Sequence, residues 1–167
     1  LAGVRVGAAG SRSFARHLEE RLFWEGAQVQ DTGILKICPI PGPLPDFSGW
    51  DWLVFTSPNG VRIFWEKMKK EKKDLRMLAG KKIAVIGPGT GKALEEAGLY
   101  PDYMPKRYDG AHLGEGLCGR ICKEGGKGAL FLRAAQAGPD LPKAFECFRI
   151  PFLDWPLYET VPDREAL

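Results

Sequence analysis

With 167 residues and 44% apolar content, the chain can bury a real core as one domain, or as one and a fraction. No apolar run approaches the roughly 20 residues of a membrane span, and no charged-then-apolar signal segment opens the sequence, so a soluble, cytoplasmic protein is expected. A net charge of +3 is too slight to indicate nucleic acid, but it suits a small anionic substrate where basic residues gather at one cleft.

Val4 to Ala8 reads as a short strand, and Gly7 to Arg12 as a glycine-containing turn. From Ser13 to Glu25 the residues Phe14, Leu18, Leu22 and Phe23 recur at helical spacing, and Gly26 ends the helix. Gln28 to Ile40 then reads as one long extended segment with Gly33 inside and Pro39 closing it. It is longer than a strand of a compact sheet needs, which suggests a bridge between two bodies. Pro39 to Gly49 is rich in proline and glycine, and that composition excludes regular structure.

The first central strand, Trp52 to Phe55, breaks into Thr56-Ser57-Pro58-Asn59-Gly60 and opens a helix. Ser57 suits the N-cap and Pro58 the first turn. Val61, Phe64, Trp65 and Met68 form a stripe at i, i+3, i+4 and i+7, so this helix is expected to pack on the sheet. The charged run Lys67 to Arg76 reads as a solvated helix end and loop. Lys82 to Ile86 is a second central strand that repeats the device: Gly87, Gly89 and Gly91 permit close backbone approach to a ligand, and Thr90 adds a hydroxyl beside a helix over 90–97. Two such turns in one parallel sheet aim their free N–H groups at its carboxyl edge, a place for phosphate or carboxylate alike.

Tyr100 to Met104 reads as a third strand, edge-like because of Pro101. A helix over 111–123, a fourth strand over 129–132 and a last helix over 141–148 follow. Arg149 to Thr160 is again long and extended, with Pro151 and Pro156 expected to break its pairing. The alternation of strand and helix predicts a parallel α/β sheet with helices on both faces. Cys38, Cys118, Cys122 and Cys147 form no CxxC pair and meet no histidine pair, so free, buried or half-buried thiols are expected and no metal. His17 and His112 read as structural.

The segments DWLVFTSPNGV, KIAVIGPGTGKALEEAGLYPDYMP, YDGAHLGEGL, ALFLRAAQAGPDLP and FLDWPLYETVP, in this order, resemble the uroporphyrinogen-III synthase family. No single segment is diagnostic; the set is. The resemblance implies two flavodoxin-like parallel α/β domains joined by a two-stranded linker, with the active cleft between them. Residues 1–40 would then be the opening βα unit of domain 1 with the outgoing linker strand. Residues 41–148 would be the inserted domain 2, and 149–167 the returning strand and the start of the remainder of domain 1, which is incomplete in this chain. Where relatives often read VTRxR after the first strand, this chain has Gly7 to Arg12, with Ala9-Gly10 in place of Thr-Arg and Arg12 retained. The opening LAGVRVG resembles the junction behind a fused uroporphyrinogen-III methyltransferase, which is the partner expected.

The activity implied is closure of the linear tetrapyrrole hydroxymethylbilane to uroporphyrinogen III with inversion of the last ring, a lyase reaction without cofactor. It needs an acid to help the terminal hydroxyl leave and a mould that folds the chain. The resemblance assigns the substrate's carboxylate arms to Thr56, Ser57, Asn59, Gly60, Gly89 and Thr90, with Arg133 and Arg12 as possible cations. It assigns the acid to Tyr158, since a phenol, with an ordinary pKa of about 10, keeps its proton at neutral pH. Plain capping by Ser57, a packing role for Tyr158 and a surface role for Arg133 are the alternatives. So, for the whole chain, are a non-catalytic tetrapyrrole-binding or regulatory module, and a nucleotide-binding α/β domain using Gly87 to Gly91.

Overall fold

The computed structural model describes residues 2–8, 10, 12–31 and 35–163, with the side chains of residues 12, 13 and 31 excepted. It is a mixed α/β protein built on parallel strand pairs. The chain divides into two compact units, Leu1–Cys38 with Glu159–Leu167, and Pro39–Tyr158.

In the first unit β1 (Arg5–Ala8) pairs in parallel with β2 (Gln28–Asp31), and α1 (Arg12–Leu22) connects them. A 3₁₀ turn, Phe23–Glu25, closes on Gly26, whose left-handed φ of 73° lets its N–H reach the Phe23 carbonyl at 3.0 Å. Ala8 and Ala15 are buried, while Phe14, Phe23 and Trp24 stand largely exposed.

The segment read as one long extended stretch, Gln28 to Ile40, supplies strands to two sheets. β2 stays with β1, and β3 (Leu35–Pro39) joins a five-stranded sheet of order β3-β7-β6-β4-β5. Its other members are β4 (Trp52–Phe55), β5 (Lys82–Val85), β6 (Ala129–Ala134) and β7 (Phe152–Pro162). Pairings β5–β4, β4–β6 and β6–β7 are all parallel.

All four residues of β4 are buried, as a strand covered on both faces must be. Trp52 and Val54 join Phe131 and the residues Leu113, Leu117 and Phe145 of α4 (Gly110–Glu124) and α5 (Asp140–Phe148). On the other face Phe55 meets Phe64 of α2 (Pro58–Lys70) edge-on, with ring centroids 5.3 Å apart. The predicted stripe is in place, with Val61, Phe64 and Met68 buried. α3 (Pro88–Glu96) follows β5.

The prolines act differently from expectation in two places. Residues 100–104 make only a single bridge, Tyr103 to Ala84. Pro101 lacks a donor, and the Asp102 carboxylate rather than a backbone carbonyl accepts the Ile83 N–H at 2.7 Å. Pro156, expected to break pairing, sits inside an unbroken β7 and coincides with a slip in register: Arg133 pairs with Pro156, but Ala134 pairs with Tyr158.

The charged run that ends α2 and continues past it is less solvated than its composition suggests. Lys67 donates to the carbonyls of Ile40 at 2.7 Å and Gly42 at 2.8 Å, and Glu71 accepts from the Leu44 N–H at 2.8 Å. These bonds fasten the irregular proline-rich segment, whose Leu44 and Phe47 are buried.

Candidate functional site

Three strands of the second unit, β4, β6 and β5, end side by side, and β4, β5 and β6 are each followed by a turn into a helix. At the first turn Ser57 caps α2: its Oγ accepts the Gly60 N–H at 3.0 Å. Pro58 at N1 has no N–H to offer, so of this turn's early amides Asn59 alone remains without a partner among the described residues. A Cβ on Gly60 would lie 3.1 Å from the Leu132 carbonyl oxygen and 3.3 Å from Ser57 Oγ. Gly60 is therefore a close-packing residue, and its amide is already engaged.

The second turn is barer. α3 has no side-chain cap, Gly87 holds the N-cap place and Pro88 again fills N1. The amides of Gly89 and Thr90 have no partner among the described residues; Gly89 is exposed, while Thr90 is buried. A Cβ on Gly87 would lie 3.2 Å from the Tyr108 Cβ and 3.3 Å from its ring, a tight contact.

The third turn runs from β6 through Gly138 to α5. Arg133, expected at the surface or as a free cation, is buried and committed. Its Nε and Nη2 donate to the two oxygens of Asp154 at 2.8 and 2.5 Å, and Nη1 donates to the Gly138 carbonyl at 2.7 Å. The pair ties β7 and the third turn to the end of β6.

Between the first and third turns lies a hollow of about 310 Å³, lined among others by Thr56, Ser57, Ile86, Arg133, Gly138 and Tyr158. Tyr158 is 5% exposed, and its Oη lies 2.7 Å from Ser57 Oγ. A larger hollow, about 700 Å³, runs along Pro39–Pro43 and α2, but Lys67 and Glu71 there are already bonded to that segment. Thr56, Ser57, Arg133 and Tyr158 are thus gathered in one place, whereas Asn59, Gly60, Gly89 and Thr90 do not line that hollow. The side chain of Arg12 lies outside the described residues, as does Ala9.

Gly138, Asp140 and Asp154 escaped the sequence reading. A signal existed for the first two: Leu132 to Pro142 repeats, for a third time, the strand that breaks into small residues and opens a helix.

At the rim Asp109 caps α4, accepting the His112 N–H at 2.9 Å, and its carboxylate also holds the His112 ring at Nδ1. The His112 amide, and then its ring, hold the Asp109 carboxyl below the usual carboxylate range. His17 is exposed on α1. Of the thiols, Cys118 is buried and Cys38 half-buried, but Cys122 and Cys147 are exposed, contrary to expectation. Among the described residues no group of three or more His, Cys, Asp or Glu could hold a metal ion, and no helix is long and apolar enough to cross a membrane.

Comparison with known proteins adds independent findings. The porphyrin biosynthesis protein HemD of Ruminiclostridium josui is 30% identical over 166 residues, covering 96% of this chain and 32% of that protein. The uroporphyrinogen-III synthase of Chlorobaculum parvum is 27% identical over 151 residues, covering 89% of this chain and 59% of its own length. A mutant uroporphyrinogen III synthase from Thermus thermophilus shares the fold with a TM-score of 0.66 at 23% identity, over 98% of this chain and 65% of that one. The chain therefore spans about a third to two thirds of the length of these proteins. The sequence model of uroporphyrinogen-III synthase HemD matches residues 16–167, and by that match the chain belongs to the uroporphyrinogen-III synthase family.

Proposed function

We propose that the chain provides the substrate-binding carboxyl edge and the proton donor of a uroporphyrinogen-III synthase, closing hydroxymethylbilane to uroporphyrinogen III. The observation that carries this reading is Tyr158: its phenol sits in the wall of the 310 Å³ hollow, against Ser57, beside the helix starts that suit carboxylate arms. The free amides of Asn59, Gly89 and Thr90 are the donors best placed for those arms, with Thr56 and Ser57 alongside. Arg133 contributes by fixing the third turn rather than as a free cation.

In this reading Tyr158 gives its proton to the departing terminal hydroxyl, which leaves as water with the C–O electron pair. The pyrrole nitrogen's lone pair completes the azafulvene-type cation. The substituted carbon of the last ring attacks it, the spiro intermediate fragments and recloses, and a ring proton lost on re-aromatisation returns to the phenolate. One water is released in total. The neighbours β3 and β7 would form the two-stranded link of the family's two-domain plan, with 1–40, 41–148 and 149–167 as its parts. The division of the chain at Cys38/Pro39 and Tyr158/Glu159 supports this.

The test is isomer analysis after mixing the protein with freshly made hydroxymethylbilane. Little or no excess of isomer III is expected from residues 1–167 alone, and isomer III above the unaided reaction once the chain is extended to the length of its relatives, with a loss of about 10²–10⁴-fold in rate for Tyr158→Phe. Tetrapyrrole binding without any turnover would instead favour a non-catalytic module, and binding of ATP or NAD but no tetrapyrrole would favour the nucleotide reading.

A further inference from the structure

The geometry points to Ser57 as a positioning residue that donates its hydroxyl proton to Tyr158, so that the phenol's own proton is free for the departing hydroxyl. This rests on the proposed role of Tyr158 and goes one residue deeper.

Ser57 Oγ carries one proton and two lone pairs. One lone pair receives the Gly60 N–H at 3.0 Å, and the remaining short contact is Tyr158 Oη at 2.7 Å. No other partner of either hydroxyl is present among the described residues. Two proton arrangements fit. If Tyr158 donated, Ser57 would accept twice and turn its own proton to the hollow it lines, while the phenol proton would be tied up in the wall. If Ser57 donates, every bond runs one way: Gly60 N–H to Ser57 Oγ, Ser57 O–H to Tyr158 Oη, phenol O–H into the hollow. That row begins at the N-terminus of a 13-residue helix, whose partial positive charge favours electron density moving towards it. Hydrogen bonds aligned in one direction also polarise one another.

The consequence appears when the phenol gives up its proton. The developing phenolate already has a donor aimed at it, and that donor's oxygen is itself backed by an amide. Nothing has to reorganise at that moment, which is the condition under which such stabilisation is most effective. The packing keeps this register. Gly60 packs closely here, since a Cβ on it would lie 3.1 Å from the Leu132 carbonyl oxygen and 3.3 Å from Ser57 Oγ. Tyr158 is fixed by its burial and by its carbonyl, which accepts the Ala135 N–H at 2.8 Å.

Capping and donation are separable by substitution. Ser57→Thr keeps both the cap and the donor. Ser57→Asp keeps a good cap but has no proton to give at neutral pH, and it would draw the phenol's proton to itself. Ser57→Ala loses both. The rate of enzyme-dependent hydroxymethylbilane consumption is expected to fall about 10- to 100-fold in Ser57→Asp and Ser57→Ala, mainly in kcat, and Thr should recover most of the rate lost in Asp. Thermal unfolding should rank Asp with Thr and place Ala below both. Equal rates for Asp and Thr would reduce Ser57 to a cap and overturn the proposal.

A second readout needs no turnover. The tyrosine Fermi doublet in the Raman difference spectrum, parent minus Tyr158→Phe, reports whether this phenol accepts or donates. An accepting phenol in the parent and a donating one in Ser57→Asp are expected. A phenol that donates without accepting in the parent would overturn the proposal whatever the rates. An accepting phenol, combined with normal turnover by Tyr158→Phe, would leave the hydrogen-bond direction intact while refuting the acid role of Tyr158 on which its purpose depends.

Discussion

Arg133 and Asp154 form an unequal pair: the guanidinium is 6% exposed and the carboxylate 38%. Removing Asp154 strands a buried cation with one carbonyl for company, whereas removing Arg133 leaves an anion that water can reach. Asp154→Ala is expected to cost about 2–4 kcal/mol and Arg133→Ala distinctly less per atom removed. Urea denaturation of both variants checks the order; Arg133→Ala as the more harmful would show that packing of the arginine stem outweighs its charge.

Tetrapyrrole binding should report at the turns. Titration with uroporphyrinogen III is expected to shift amides within 56–60 and 87–91, with Asn59, Gly89 and Thr90 moving most. Shifts centred on 39–43 instead would move the site to the larger hollow beside α2.

The four thiols should separate by reactivity. Burial, with a smaller contribution from neighbouring Cys122, pushes the Cys118 thiol up to about 12. Against the ordinary thiol value of 9.0, that lowers its thiolate fraction by about three powers of ten at neutral pH. Brief treatment with iodoacetamide followed by peptide mapping is expected to find label on the exposed Cys122 and Cys147 and none on Cys118.

Gly128 has φ +127°, and a Cβ there would run into the Pro151 carbonyl. Gly128→Ala is expected to destabilise by about 2–4 kcal/mol, since the clash is with backbone that cannot swing aside. A loss below 1 kcal/mol in chemical denaturation (about fivefold in the folding constant) would mean that the β6 entry relaxes more easily than its burial implies.

The strap over α2 should be sensitive to acid. The bond from Lys73, and secondarily the Leu44 amide, hold the Glu71 carboxyl below its ordinary 4.5. A carboxyl depressed in the folded state contributes fully above its unfolded value and loses that contribution as pH falls through the folded one. The Tm deficit of Glu71→Gln, which keeps an acceptor for Leu44 but no charge, is therefore expected to be widest above about pH 4.5 and to close in stronger acid. A deficit independent of pH would trace to packing instead.

What could be read in the sequence was local. β4, β5, the caps and the stripe of α2 follow from spacing and composition within a dozen residues, and they are in place. The contacts that make the site are not local. Ser57 and Tyr158 are 101 positions apart, and Arg133 meets Asp154 only because β6 and β7 are neighbours. Nor does composition distinguish a lysine in solvent from Lys67, which holds two carbonyls of a distant loop. The edge-like strand expected at 100–104 is reduced to one parallel bridge beside β5, Tyr103 to Ala84, and there the Asp102 carboxylate takes the Ile83 amide that a backbone carbonyl would accept in a longer pairing.

The slip in register at Pro156 decides which way the phenol points. Along β7 the residues Phe152 and Asp154 pair with Ala129 and Phe131, and Phe152 stacks on Phe131 on the side of α5. Strict alternation would carry position 158 to that same side, away from Ser57. Because one extra residue is spent between Pro156 and Tyr158, the alternation is reset: Tyr158 falls opposite Ala134, in phase with Leu130 and Leu132, and so turns to the side of α2. A single inserted residue thus acts as a half-turn key. Without that slip, position 158 would fall opposite Ala135 and its phenol would face the other wall.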